Sequence, residues 1–369
     1  MAEDFKRRDG MKKQKIAILT WHYYPNFGSA LQAYALQEKL KALGYSVRIL
    51  DYRNARYGKV SSVKNRIKAL LAHAAPGRFS YPFLSFQEDC LDLTRTTQNA
   101  TDLPLMAKHF DAVVCGSDQI WAPNVFNPVY MLNFAPDSMK KISYAASIGL
   151  NDIPEELVPS YRTLLRRFRA VSVREKAGAA LLTEKCGIHA EVMPDPTLLL
   201  SADAYEKLEK KPLIKDPPYL FCYFLNADHT YRDAVLAYAK KENLSLVGHS
   251  AKAEDADWMQ LLNGKIGPRE FLWLIHHANA VITDSYHGTL FSLLFRRDFI
   301  TFERFRKEDS LCQNSRIDQL RETFHIDNRI VSSGSNLTLE IPPMDDAAWE
   351  ASVAGQRKKA TEFLTEALK

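Results

Sequence analysis

At the end of an apolar run, ANAVIT, the residues Asp284, Ser285, Tyr286, His287, Gly288 and Thr289 gather a carboxylate, three hydroxyls, an imidazole and a small backbone joint. A helical pattern, GTLFSLLF, begins at once. In open α/β sheets ligands sit outside the carboxyl ends of strands, and a helix starting there offers free N–H groups to an anion. An imidazole can exchange a proton near neutral pH, so His287 is a candidate acid. A purely structural reading competes, with Asp284 or Ser285 capping the helix and His287 satisfied in the core. Spacing alone does not choose between them.

Three further segments place polar side chains after apolar runs. In WHYYPNFGSALQAYALQ, Gly28 permits close backbone approach, and His22, Asn26, Ser29 and Gln32 are spaced to meet a ligand in a cleft. The loop is not GxGxxG, so no dinucleotide is indicated. In GSDQIW, Asp118 and Gln119 suit sugar hydroxyls and Trp121 suits a pyranose face, against a rival in which Trp121 is a buried anchor. In VSVRE, Arg174 ends an apolar run with a guanidinium suited to phosphate or carboxylate, and an ion pair with Glu175 is its plainer explanation.

The elements behind these segments alternate as strand and helix. Residues 15–20 read as a strand, 30–43 as a helix and 46–51 as a second strand, a βαβ opening to a parallel sheet. The rhythm continues with strands at 111–115, 142–146 and 170–173 and a helix at 155–168, interrupted by an irregular insertion over 53–104 with one helix near 62–72. After Pro194-Asp195-Pro196, whose prolines cannot donate to a sheet, it restarts with strands at 219–224, 244–247, 280–283 and 299–302. Helices follow at 229–242, 268–278, 289–295 and 314–324. The expectation is an α/β protein of two Rossmann-like lobes, 15–193 and 194–345, with a closing helix at 346–368 packing back on the first.

A chain of 369 residues exceeds the size at which one core usually stops growing, which fits two lobes. Net charge is +5 and no like-charge block is long, so neither nucleic acid nor a polybasic membrane anchor is expected. The five cysteines are scattered, with no CxxC pair and no Cys/His cluster at zinc spacing, which points to a reducing compartment and no metal. With no signal-peptide pattern and no long apolar run, the expected location is cytoplasmic.

Taken together, NFGSALQAYALQ, GSDQIW, SYAASIG, SVRE, PDPTLLL and TDSYHGTLFSLLF occur in the order found in the polysaccharide pyruvyl transferases, and the chain resembles that family from about residue 15 to 330. The resemblance implies a GT-B-like architecture with lobes facing across a cleft. It implies phosphoenolpyruvate as co-substrate, no further cofactor, and a saccharide acceptor from cell-surface glycan assembly, free or lipid-linked. It also implies donor roles for His287 and Arg174, with Asp284 beside them at the reacting centre. Ser285, Gly288, Thr289, Arg304 and Arg316 are then expected on the donor, and His22, Asn26, Gly28, Ser29, Gln32, Asp118, Gln119 and Trp121 on the acceptor. One departure stands out: several branches carry Arg-Leu before the histidine where this chain has Ser285-Tyr286, so either Arg304, Arg306 or Arg316 supplies the missing cation or this branch takes a different substrate. Two alternatives accompany this reading. GPREFLWLIHHANAVITD resembles the approach to the donor site of nucleotide-sugar glycosyltransferases, and a silent glycan-binding protein of the same fold would also fit.

Overall fold

The computed structural model describes residues 13–54, 81–214, 218–225, 231–305, 314–332 and 338–369; the helix read near 62–72 and Arg306 lie outside them. Strands β1 (Lys15–Leu19), β2 (Ser46–Ile49), β3 (Ala112–Cys115) and β4 (Lys140–Ser143) form a parallel sheet in the order β2-β1-β3-β4. Short strands β5 (Ser172–Val173) and β6 (Glu191–Val192) continue it through bridges from Ile142 to Ala170 and from Ala146 to Val173. β1 reads as an unbroken apolar run because helices cover both faces of such a sheet, and Ile16 to Leu19 are fully buried.

A second parallel sheet contains β7 (Tyr219–Phe224), β8 (Ser245–Ser250), β9 (Gln260–Leu261), β10 (Ala280–Thr283), β11 (Asp298–Phe302) and β12 (Ile330–Val331), in the order β12-β11-β10-β7-β8-β9. Each sheet therefore has a point where strand order reverses, between β1 and β3 in one and between β7 and β10 in the other. Crevices for ligands open at such points, outside the carboxyl ends of the strands. The segments singled out in the sequence after β1, β3 and β10 lie at these two points.

Helix boundaries moved where capping decided them. The first helix runs Phe27–Ala42, three residues earlier than periodicity suggested, because the Asn26 side chain accepts the Ser29 N–H at 3.0 Å. The helix after β10 starts at Tyr286, because Ser285 Oγ accepts the Gly288 N–H at 3.3 Å. Within the segment read as irregular, a helix forms over Tyr81–Cys90. Its cause is tertiary: Phe83 stacks on Phe27, and Gly267 lets Pro82 approach so closely that a Cβ there would lie 2.7 Å away.

Contact between the lobes is both apolar and wrapped. Phe27, from the first helix, stacks against Phe271 of helix Pro268–His276 with centroids 4.5 Å apart and meets Tyr223 edge-on. The last helix, Asp346–Leu368, begins on the second lobe, where Trp349 packs on Phe324. It ends on the first, where Lys140 Nζ donates to the Leu368 carbonyl at 3.0 Å. Between them Arg357 Nε donates to Leu198 O at 2.7 Å and Lys359 Nζ to Val192 O at 2.9 Å, gripping the crossover between the sheets. No helix among the described residues is long and apolar enough to cross a membrane.

Truncating Phe27 removes the ring that both lobes pack against. Phe27→Ala is expected to cost about 3 to 5 kcal/mol, the usual range for a buried aromatic, measured by urea unfolding. A loss below about 1 kcal/mol would mean that the lobes do not rest on this ring.

Candidate functional site

At the first sheet's switch point, Thr20 Oγ1 donates to Ser117 O at 2.9 Å, which closes the loop after β1 onto the loop after β3. Ser29 Oγ donates to Asp118, whose other oxygen accepts the Gln119 N–H at 2.9 Å. Asp118 has φ 71°, a left-handed conformation that costs a non-glycine residue roughly 1 to 2 kcal/mol and is least strained for Asp and Asn. At the second switch point the Leu225 N–H donates to Asp284 Oδ1 at 2.7 Å and joins the ends of β7 and β10.

The two points meet at Asp195, in the crossover between the sheets. One carboxylate oxygen accepts from Thr197 N at 3.0 Å and Thr197 Oγ1 at 2.8 Å. The other accepts from Arg174 Nη1 at 2.7 Å and Ser117 Oγ at 3.2 Å, and lies 3.5 Å from His287 Nε2. Burial pushes the Asp195 carboxyl up, but His287 and then Arg174 outweigh it and hold it well below the usual carboxylate range. His287 is wedged on its other side against the first helix: a Cβ on Gly28 would lie 2.0 Å from its Nδ1. Gly28 is thus needed for close approach of the two lobes rather than for a turn.

Arg174 is buried and already committed. Its Nε donates to Glu175 Oε1 at 3.0 Å, Nη1 to Asp195, and its guanidinium lies 4.4 Å from the centre of the Tyr286 ring. Burial opposes its charge, while Glu175, Tyr286 and Asp195 more than restore it. The ion pair with Glu175 that the sequence offered as the plainer explanation is therefore present. Nη2 of Arg174 remains, a buried donor with no hydrogen-bond partner, whereas His287 Nε2 faces the Asp195 carboxylate at 3.5 Å. Arg316, on helix Ser315–Phe324, is buried near them and pushed down to about 10, first by burial and then by the Arg174 and Arg304 guanidinium groups. Glu175 and Asp118 support the Arg316 charge in the opposite direction.

Several expected ligands face elsewhere. Trp121 is fully buried, with Nε1 donating to Tyr130 O at 3.0 Å, so no face is offered to a sugar. His22 is fully buried, its ring nitrogens taken by Thr20 O at 3.1 Å and Asp51 Oδ1 at 2.9 Å. The Gln32 amide nitrogen lies within 3.0 Å of Thr20 Oγ1, Trp21 O and Ser29 O, so it braces the loop from inside. Gly288 and Thr289 cannot offer their N–H groups to an anion, since Ser285 accepts both, and Thr289 Oγ1 is engaged with Ser285 O and Thr301 Oγ1. Helix capping took these positions, as the competing reading allowed. Asn26, Gln119 and Arg304 are half-buried, while Asp118, His287 and Arg316 are each 7% exposed.

Sequence reasoning missed Asp195, Glu175, Ser117 and Tyr286 as site residues. Asp195 was legible only as a stiff Pro-Asp-Pro crossover, and the available signal was an acid locked between two prolines. Tyr286 was noted for what it replaced; its contact with Arg174 needed coordinates.

The family model described as polysaccharide pyruvyl transferase matches residues 26–304 of the chain. Among solved structures, the chain is similar to AviGT4, a glycosyltransferase involved in avilamycin A biosynthesis, at 14% identity and TM-score 0.50, covering 96% of this chain and 97% of that one. It is also similar to the UDP-GlcNAc 2-epimerase of Methanocaldococcus jannaschii, at 12% identity and TM-score 0.51, covering 94% and 93%. At such identities the likeness shows the fold alone, a two-lobed GT-B-like arrangement of Rossmann-like sheets. A search of curated proteins returned no match.

If His287 rests on Gly28, the two positions must be energetically coupled. Gly28→Ala should destabilise by about 1 to 3 kcal/mol through overpacking, and His287→Ala in the same chain should relieve it. The expected coupling in a double-mutant cycle of thermal or urea unfolding is at least ~1 kcal/mol. Additive effects would show that ring and helix do not bear on each other.

Proposed function

Because the chain belongs to the polysaccharide pyruvyl transferase family, we propose that it moves the pyruvyl group of phosphoenolpyruvate onto two hydroxyls of a saccharide as a cyclic ketal. The observation that carries this reading is a buried guanidinium donor without a partner, Arg174 Nη2, in a site that Arg316 shares. An oxygen of an anion satisfies such a donor, and negative charge is favoured beside guanidinium groups. Phosphate and carboxylate on one small molecule supply that charge.

The residues divide the chemistry as follows. Arg316, Arg304 and the spare Nη2 of Arg174 hold the anionic groups. His287 delivers a proton to the vinyl methylene, which makes the adjacent carbon electrophilic. One sugar hydroxyl adds there, phosphate departs with its bridging oxygen, and a second hydroxyl closes the ketal. Of the two hydroxyl protons released, one replaces the proton given to the methylene and the other leaves with phosphate. Asp195 keeps His287 and Arg174 in register. Asn26, Ser29, Asp118 and Gln119 are the polar groups on the acceptor side, with Asp118 placed to accept from a hydroxyl. Arg316 then fills the role of the arginine that other branches carry at the position of Ser285, and Tyr286 supports Arg174 by its ring face.

Two variants test the division. Removing a charge-assisted contact typically costs about 1.5 to 3 kcal/mol, so Arg316→Gln should raise the donor KM at least roughly tenfold. Its melting temperature is measured beside KM, so that a loss of fold is told apart from a loss of donor contact. An unchanged KM would remove Arg316 from the donor site. His287→Gln keeps a hydrogen-bond donor but cannot deliver a proton. It should lose kcat by at least ~10²-fold at saturating phosphoenolpyruvate with little change in KM, read as phosphate release in the presence of a glycan acceptor. A loss under about tenfold would leave His287 as a ligand only. If wild-type protein releases nucleotide from a nucleotide sugar and no phosphate from phosphoenolpyruvate, the donor assignment is wrong.

A further inference from the structure

Away from this cleft, a second group of titratable side chains is held together where the segment after the crossover meets the end of helix Pro268–His276. We propose that Glu209, His276 and His277 bind a divalent transition-metal ion of the zinc class, clamping that segment to the second lobe. Their ligand-capable atoms lie within 4.8 Å of one another. His276 Nδ1 is 2.7 Å from Glu209 Oε1, and His277 Nδ1 is 3.6 Å from Oε2. Ligands on a tetrahedral zinc at about 2.0 to 2.2 Å stand roughly 3.3 to 3.5 Å apart, so the observed pairs bracket the required separation. Glu206 Oε1 lies 3.9 Å from the other nitrogen of the His276 ring. Two imidazoles with a carboxylate suit zinc and its neighbours rather than calcium or magnesium.

The rings are fixed before any ion arrives. His277 stacks on Trp273 at 4.3 Å with 12° between planes, and His276 on Phe295 at 4.6 Å with 13°. The Trp273 carbonyl lies 3.0 Å from His277 Nδ1, a backbone contact that an ion on that nitrogen displaces. Glu209 has a side chain only 9% exposed, while that of His277 is 39% exposed and leaves a path from solvent. The chain spacing hid this arrangement, since Glu209 and His276 stand 67 residues apart.

The alternative is a hydrogen-bonded His–Glu pair with no taste for metal, and calorimetry separates the two. Full-length protein without an affinity tag, freed of metal by chelator and dialysis, is titrated with zinc chloride. The expected result is one saturable site of about micromolar affinity or tighter and a melting temperature that rises with zinc, as linkage requires. Glu209→Gln and His277→Ala should each weaken binding at least tenfold. His277→Ala, the more exposed change, should melt near the wild type in the absence of zinc. Absence of saturable binding at roughly millimolar zinc, or equal affinity in the Glu209→Gln/His277→Ala double variant, would overturn the site. None of these readouts involves phosphoenolpyruvate, so the outcome is independent of the proposed transferase chemistry.

Discussion

A carboxylate taken out of water costs several kcal/mol unless donors surround it, and the arrangement of this protein follows from how that cost is met at Asp195. Thr197 satisfies one oxygen from within the crossover. Ser117 and Arg174 reach the other from the first lobe, and His287 approaches from the second. Removing any one contributor would leave a buried charge short of partners, so the loop after β3, the end of β5 and the start of the helix after β10 are held to one point. Two sheets that share no strand thereby acquire a common anchor.

That anchor explains why the neighbouring positions are small, aromatic or already occupied. Gly28 has no room for a side chain because His287 lies against it, and the ring in turn leans toward Asp195. Tyr286 lies under the Arg174 guanidinium, where an aliphatic residue would offer no negative ring face. With two of its three nitrogens engaged, Arg174 is better suited to hold the frame than to act as the main ligand. Arg316 is buried near it, on a helix from further along the chain.

Much of the architecture was legible because buried parallel strands have few ways to be written. KIAIL, YLFCYF and AVIT are apolar without interruption, and all three lie where the sequence reading put them, to within a residue. The site segments were legible as positions, after β1, β3 and β10, because polar residues there break strong patterns. Their side-chain roles were less so. Trp121 and His22 were acceptor candidates, with a buried anchor as the rival for Trp121, and both are buried; neither carries a spacing that tells which way a loop side chain turns. Helix Tyr81–Cys90 was missed because its stability comes from Phe27 and Pro268–His276 rather than from its own periodicity.

The sequence by itself determined the longer strands, most of the helices that alternate with them, the two-lobed class and the family resemblance, because these depend on local patterns of burial repeated along the chain. Only the tertiary structure decided which polar groups meet. Asp195 and His287 are far apart in sequence, as are Glu209 and His276, and whether an imidazole caps, braces or faces a ligand depends on neighbours that local periodicity does not encode. Hydrophobic patterning is a property of each segment, whereas a charge in the interior is satisfied or left wanting only by the partners that folding brings to it.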